Sequence, residues 1–240
     1  MSVITLANTK GGAGKTTAAL LLATEYARQG YRVAVLDADP QKWITAWSEA
    51  SGGAANLEII SQVTATSLPS LIREMRNRID FFIVDLAGAR NALLGTALGI
   101  SDHVLIPVQG CAMDARGAAQ VLELLEQLKM QCGLDIAHSV VLTRVSSLVT
   151  TRALAAVKAM LNARGVNVLE TPLNERSAYR DVFEYGATLY NADPIAISNL
   201  DKARDNARTF AAEVKALLPR KVGRSIPGYS LPTWRRIRAA

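Results

Sequence analysis

Lys10-Gly-Gly-Ala-Gly-Lys-Thr-Thr17 stands between the apolar run Val3-Ile-Thr-Leu-Ala7 and the helical stretch Ala18-Ala-Leu-Leu-Leu-Ala23. A strand, a glycine loop and a helix in this order make a phosphate-binding loop. The cradle spans Gly11, Gly12, Ala13, Gly14, Lys15, Thr16 and Thr17. Its glycines let consecutive backbone N–H groups turn toward one anion. The helix behind points the positive end of its dipole at the same place, and Lys15 adds a full charge. Thr16 supplies the hydroxyl that would hold Mg²⁺. The chain is expected to bind a nucleoside triphosphate.

The loop departs from the common pattern G-x-x-x-x-G-K-[ST], because Thr9 stands where the first glycine belongs and a second lysine, Lys10, follows it. Two lysines on the phosphates of one subunit make little sense. They make good sense if Lys10 reaches the nucleotide of a partner subunit. The segment resembles the deviant phosphate loop (K-G-G-x-G-K-T) of the ParA/MinD ATPases. That resemblance implies ATP and ADP as ligands, Mg²⁺ as cofactor, and a nucleotide-sandwich homodimer in which Lys10 and Lys15 are both catalytic.

Apolar runs alternate with helical patterns along the chain, the mark of a doubly wound α/β fold: a mostly parallel sheet with helices on both faces. Strands are expected at Val3–Ala7, Arg32–Leu36, Leu57–Ile60, Phe81–Val84, His103–Pro107, Ser139–Leu142 and a short Asn167–Leu169. Helices are expected at Thr16–Gln29, Gln41–Ala50, Leu68–Arg78, Ala92–Leu98, Ala112–Gln131, Thr150–Arg164, Arg176–Tyr185 and Ser198–Leu217. A length of 240 residues suits one such domain.

The net charge of +6 is concentrated at one end. Residues 219–240 hold Arg220, Lys221, Arg224, Arg235, Arg236 and Arg238 and no acid, so the first 218 residues balance 21 cations against 21 anions. The expected organisation is an ATPase domain over residues 1–218 and a basic, proline-containing C-terminal tail over 219–240. Cys111 and Cys132 suit a reducing compartment better than a disulfide and are expected to be buried. No apolar run reaches a membrane-spanning length of about 18 residues. With no signal peptide expected either, the reading is cytoplasmic.

In parallel sheets of this kind, chemistry gathers at the carboxyl ends of the strands. Arg32-Val-Ala-Val-Leu36 ends in Asp37-Ala-Asp39-Pro40-Gln41, and Phe81-Phe-Ile-Val84 ends in Asp85-Leu-Ala-Gly88. A carboxylate at Asp85 can hold Mg²⁺ through water, in line with Thr16. By resemblance, Asp37 supports the same ion, Asp39 positions the attacking water, and both segments are nucleotide switches. Either aspartate could instead cap the helix that follows.

Further resemblance lies in Ile106-Pro-Val108 with Met113-Asp114, in Val140-Val-Leu-Thr-Arg144, and in Thr171-Pro-Leu-Asn-Glu-Arg176 with Tyr179. It implies that Arg144 and Pro172 line the base pocket. A surface arginine paired with an acid is the competing reading of Arg144. Together these pieces cover most of residues 1–218. The small ParA-type partition ATPases are the best likeness, and no N-terminal helix-turn-helix is expected.

The resemblance implies a switch. ATP closes two subunits face to face, the dimer holds DNA nonspecifically, and a ParB-like or other adaptor stimulates slow hydrolysis. The expected task is partition or positioning of a plasmid, a chromosome or another large cargo, with nucleoid association in the ATP state. Lys202, Arg204, Arg208 and Lys215 could contribute to DNA binding, although Asp201 and Asp205 interleave them as in an ordinary ion-paired face. Trp43 and Trp47 are either packing residues or a pair that senses the nucleotide.

Two rivals remain open. One is a MinD-like ATPase recruited to membrane by Leu231-Pro-Thr-Trp-Arg-Arg-Ile-Arg238, which is short and broken by proline. The other is an enzyme on the same scaffold, such as an iron–sulfur reductase or a metal-cluster carrier, with two cysteines per subunit bridging a dimer. The tail is the stronger electrostatic feature, with Tyr229 and Trp234 available to stack, against the bland reading of a solvated terminus. Deleting residues 219–240 is expected to weaken nonspecific DNA binding and flatten its dependence on salt, measured by titration at several salt concentrations. An unchanged slope would exclude the tail.

Overall fold

The structure, a computed structural model, describes residues 1–109, 112–146 and 152–219. Cys111 and the basic tail from Arg220 onward lie outside them, as do the side chains of Met113 and Asp114. In chain order the elements are β1 (Ser2–Leu6), α1 (Lys15–Arg28), β2 (Val33–Ala38), α2 (Trp43–Ser51), β3 (Leu57–Ile60), α3 (Leu68–Met75) and β4 (Phe81–Leu86). Then follow α4 (Ala92–Gly99), β5 (His103–Gln109), α5 (Ala112–Cys132), β6 (His138–Val145), α6 (Arg152–Ala163), β7 (Leu173–Asn174), α7 (Ala178–Glu184) and α8 (Leu200–Leu217).

The strands form one sheet in the order β3-β2-β4-β1-β5-β6-β7, with every pairing parallel. Strands β1, β2 and β4 are buried along their whole length, which is why they read as unbroken apolar runs. Their period of two still decides which side chain faces which helix layer. Ile4, Leu6, Val33, Val35, Phe81 and Ile83 point to a core shared with α1, α2, α7 and α8. Val3, Ala34, Leu36, Phe82 and Val84 point to a second core with α3, α4, α5 and α6.

Two expectations needed correction. Asn167–Leu169 is not a strand but a single bridge, Val168 beside Val140, and the edge strand is Leu173–Asn174. The reason lies in α8: the Glu213 carboxylate accepts the N–H groups of Glu170 and Thr171 at 2.7 and 2.9 Å, drawing the backbone away from the sheet. Helix α2 begins at Trp43 rather than Gln41. Here Asp39 captures the N–H of Gln41 with its carboxylate at 2.9 Å and that of Lys42 with its carbonyl at 3.1 Å. Lys42 then takes a left-handed conformation, φ 52°, so the helix cannot start before it.

Helix α8 closes the first core over α1. Phe210 is fully buried there, and the Tyr26 hydroxyl donates to the Ala211 carbonyl at 3.0 Å. Phe210→Ala is expected to remove about 3–5 kcal/mol of stability, the range for emptying a buried aromatic site. Urea unfolding should show a lowered midpoint with an unchanged slope.

Candidate functional site

The loop between β1 and α1 emerges at the middle of the sheet, where β4 and β5 flank β1 and the crossovers diverge to either side. Gly12 and Gly14 have φ of 77° and 94°, conformations that favour glycine, and these two residues turn the loop's amides inward. Gly14 caps α1 with no side-chain hydrogen bond, and the first turn of α1 carries no acid. The positive helix end is therefore left for an anion. Two side chains hold the loop from behind. The Thr143 hydroxyl donates to the Ala13 carbonyl at 2.8 Å, and the Gln109 side-chain amide donates to the Gly12 carbonyl.

Lys15 is buried, and its Nζ donates to the Lys10 carbonyl at 3.1 Å, folding the loop into a ring. Burial pushes its pKa down, and the charges of Asp85 and Asp39 oppose that shift. Lys10 itself donates its backbone N–H to the Asn8 side-chain oxygen at 2.9 Å.

Asp37 and Asp85 are register partners on the adjacent strands β2 and β4, and both are buried. Burial raises the Asp85 carboxyl to about 7; the Thr16 hydroxyl and Lys15 oppose the rise, while Asp37 and Asp39 add to it. Both Asp85 oxygens and one of Asp37 are buried without a hydrogen-bond partner. Three such oxygens beside Thr16 fit a hydrated divalent cation, which would satisfy them through its water shell. Thr16, Asp37 and Asp85 are the residues that would hold it.

The other Asp37 oxygen accepts from the Thr45 N–H at 2.9 Å and the Thr45 hydroxyl at 2.7 Å. Asp37 thus caps α2 from a neighbouring strand while keeping one oxygen for the ion. Asp39 is spent partly on the turn at Gln41, yet it lines the same cleft as the loop. Of the two aspartates only Asp37 caps α2; Asp39 closes the turn ahead of it.

A cleft of about 670 Å³ runs from Gly12, Lys15 and Thr16 past Asp39 to Trp43 and Phe183. A smaller hollow of about 120 Å³ opens behind Gly14 and Thr17 and is lined by Arg144, Asn174, Arg176 and Tyr179. Arg144 lines both spaces, in a left-handed conformation at the register shift between β6 and β7. Pro172 lines neither; its carbonyl accepts from the Asn206 amide at 2.8 Å. The lining of the smaller hollow instead comes from β7 and the start of α7, just beyond Pro172.

Trp43 and Trp47 play different parts. Trp47 is buried and donates to the Ala187 carbonyl at 2.7 Å, whereas Trp43 is 57% exposed at the mouth of the cleft. On α8, Arg204 pairs with Asp201 at 2.9 Å and Arg208 with Asp205 at 2.8 Å, so that face is ion-paired. Cys132 is not buried as expected but exposed at the last residue of α5, and no cluster of three metal-ligating side chains occurs among the described residues.

The sequence does not single out Asn8, Gln109, Thr143 or Gly117, yet they shape the loop. For Gln109 and Thr143 a signal was available: each is a polar residue closing an apolar run at the carboxyl end of a strand.

Comparison with known proteins agrees with this geometry. The VirC1 protein family matches residues 1–218. ParA of Rhizobium radiobacter is 36% identical over 214 residues, 89% of this chain and 96% of that one. VirC1 of Rhizobium rhizogenes is 29% identical over 192 residues, 78% of this chain and 82% of its own length. A solved ATP complex of Cyanothece McdA has a TM-score of 0.71 at 18% identity, covering 90% of this chain and 96% of that one, a likeness of fold. A deviant phosphate loop at the switch point of a parallel sheet, in a sequence whose first 218 residues match the VirC1 family and most of whose length matches ParA, places the chain in the VirC1/ParA group of the ParA/MinD family of P-loop ATPases.

Proposed function

We propose that the protein hydrolyses ATP slowly, with Mg²⁺, as the switch of a partition or positioning system. The observation that carries this reading is the doubled lysine in a loop already served by the buried Lys15. Lys15 and the amides of Gly11 to Thr17 bind the phosphates, and Thr16, Asp37 and Asp85 hold the ion, which supplies charge neutralisation on the phosphate oxygens. Asp39 orients the attacking water. Arg144 and the residues of β7 and α7 hold the base.

Lys10 acts on the nucleotide of a second copy of the chain, so the competent site is completed only in a sandwich homodimer. Catalysis is then mostly charge stabilisation and positioning, which suits a slow timer reset by an adaptor protein. The kinship with ParA supports nonspecific DNA as the surface on which the ATP-bound dimer rests, and a plasmid or chromosome as first choice of cargo. Contacts to DNA phosphates come from the dimer surface and from the domain boundary at residue 218 onward, where the sequence becomes uniformly basic. No helix among the described residues is long and apolar enough to cross a membrane. The reading places the protein in the cytoplasm, on the nucleoid while ATP is bound.

The test is co-sedimentation with nonspecific DNA, together with sedimentation velocity, comparing ADP with ATP and Mg²⁺. Wild type should dimerise and bind DNA only with ATP. Lys10→Ala should do neither, and its turnover should fall by roughly 10²-fold, the scale of losing one transition-state charge. Dimers that ignore DNA but bind anionic vesicles would replace the DNA reading with a membrane one.

Trp43 supplies an independent readout, because it is the exposed tryptophan at the cleft while Trp47 is sealed in the core. In a Trp234→Phe background, ATP should change the intrinsic fluorescence, and adding Trp43→Phe should abolish that change. A response that survives would assign it to Trp47 and argue against closure at the cleft mouth.

A further inference from the structure

Lys10 is packed between two glycines whose backbones have no need of glycine. Neither Gly88, which follows β4, nor Gly117, within α5, has a positive φ. Gly117 sits inside a helix, where glycine is the least favourable residue after proline. What both positions lack is room. A Cβ on Gly88 would lie 2.6 Å from the Gly11 nitrogen and 2.7 Å from the Lys10 carbonyl carbon. A Cβ on Gly117 would lie 2.2 Å from the Asn8 side-chain oxygen and 3.1 Å from both the Lys10 nitrogen and its Cβ. The contacts below 3 Å oppose backbone at Gly88 and the doubly hydrogen-bonded Asn8 amide at Gly117, so they cannot be relieved by a side chain swinging away.

Residues 8–10 are fastened to the β5–α5 unit by further bonds. The buried Asn8 amide donates to the Pro107 carbonyl at 2.7 Å while accepting from the Lys10 N–H at 2.9 Å. The Thr9 hydroxyl reaches the Gln120 side-chain oxygen at 2.5 Å and the Gly117 carbonyl at 3.3 Å. The rear of the loop is held elsewhere, by Gln109 and Thr143 on the carbonyls of Gly12 and Ala13. The loop thus has two anchors: strand ends for the phosphate cradle, and α5 for the segment bearing Lys10.

We infer that Gly117, seconded by Gln120, is a positioning residue for Lys10, and that α5 acts as a lever whose seating sets where that lysine sits. The inference rests on the role proposed for Lys10 across the dimer. Displacing α5 by the width of one methyl group should misplace Lys10 while leaving the phosphate cradle intact. Nucleotide binding and dimer closure should then come apart.

The experiment compares the full chain as wild type, Lys10→Ala, Gly117→Ala and Gln120→Ala. Binding of a fluorescent ATP analogue measures the cradle, and sedimentation velocity with ATP and Mg²⁺ measures closure. Gly117→Ala should bind the analogue within about twofold of wild type. Its dimerisation and turnover should fall roughly 10- to 100-fold, as expected of a misplacement near 1 Å. Combining it with Lys10→Ala should add no further loss.

Gln120→Ala keeps the helix and removes only the Thr9 contact, so it should show the same split to a smaller degree, and it carries the test if Gly117→Ala does not fold. Wild-type closure in either folded variant, or parallel loss of binding and closure in both, would overturn the lever. A wild type that fails to dimerise would instead overturn the proposed function, and this inference with it. Those outcomes differ in the wild-type arm alone.

Discussion

Asp37, Asp85 and Lys15 are all withdrawn from water at the carboxyl edge of the central strands, and three oxygens of the two aspartates have no hydrogen-bond partner there. Buried ionisable groups without complete partners cost free energy, and the carboxyl of Asp85 answers by moving toward its neutral form. The rest of the architecture can be understood as what makes that arrangement tolerable. Parallel strands covered on both faces supply the burial. The Thr45 cap satisfies one Asp37 oxygen, and the Lys10 carbonyl receives the Lys15 ammonium. A polyphosphate with its cation would complete what remains, so the site is built to favour the loaded state over the empty one.

Each strand end contributes one element of control. β1 delivers the loop, β2 and β4 the carboxylates, and β5 and β6 the two side chains that hold the loop's carbonyls. Because these strands are hydrogen-bonded neighbours, their ends have fixed relative positions, and precision in the sheet becomes precision in the site. Two segments follow directly from β2 and β4. They touch the cleft and the Lys10 peptide, through Asp39 and Gly88.

Much of this was legible in the sequence. The loop announces itself because its chemistry is local: glycines, a lysine and a threonine within eight residues. Asp37 and Asp85 were found because each ends an apolar run. The strand Asn167–Leu169 was misplaced because its fate depends on Glu213, more than forty residues later, which captures the amides that would have continued the ladder. Pro172 was one residue short of the lining because a two-residue strand leaves almost no periodic signal. The contact of Gly117 with Asn8 was invisible for the same reason at longer range. A glycine in a helical pattern shows only that something is close, not what.

Charge distribution shows how the body and the tail divide the electrostatic work. Two of the four α8 cations that the sequence offers as DNA contacts, Arg204 and Arg208, are matched to aspartates three residues earlier. Exposed pairs of this kind hold together by about 1 kcal/mol or less, so a phosphate could displace the aspartates, but the aspartates would remain and repel it. At these two positions the face therefore offers no uncompensated charge. Uncompensated charge is what makes counterion release worthwhile, and in this sequence it is concentrated after residue 219. If a tail of six cations binds weakly on its own, doubling it by dimerisation places twelve on one particle, and binding that depends exponentially on the number of phosphate contacts becomes a sharp reporter of closure. Under the proposed function, bringing two tails together on dimerisation would couple ATP to DNA, beside any contact from the dimer surface.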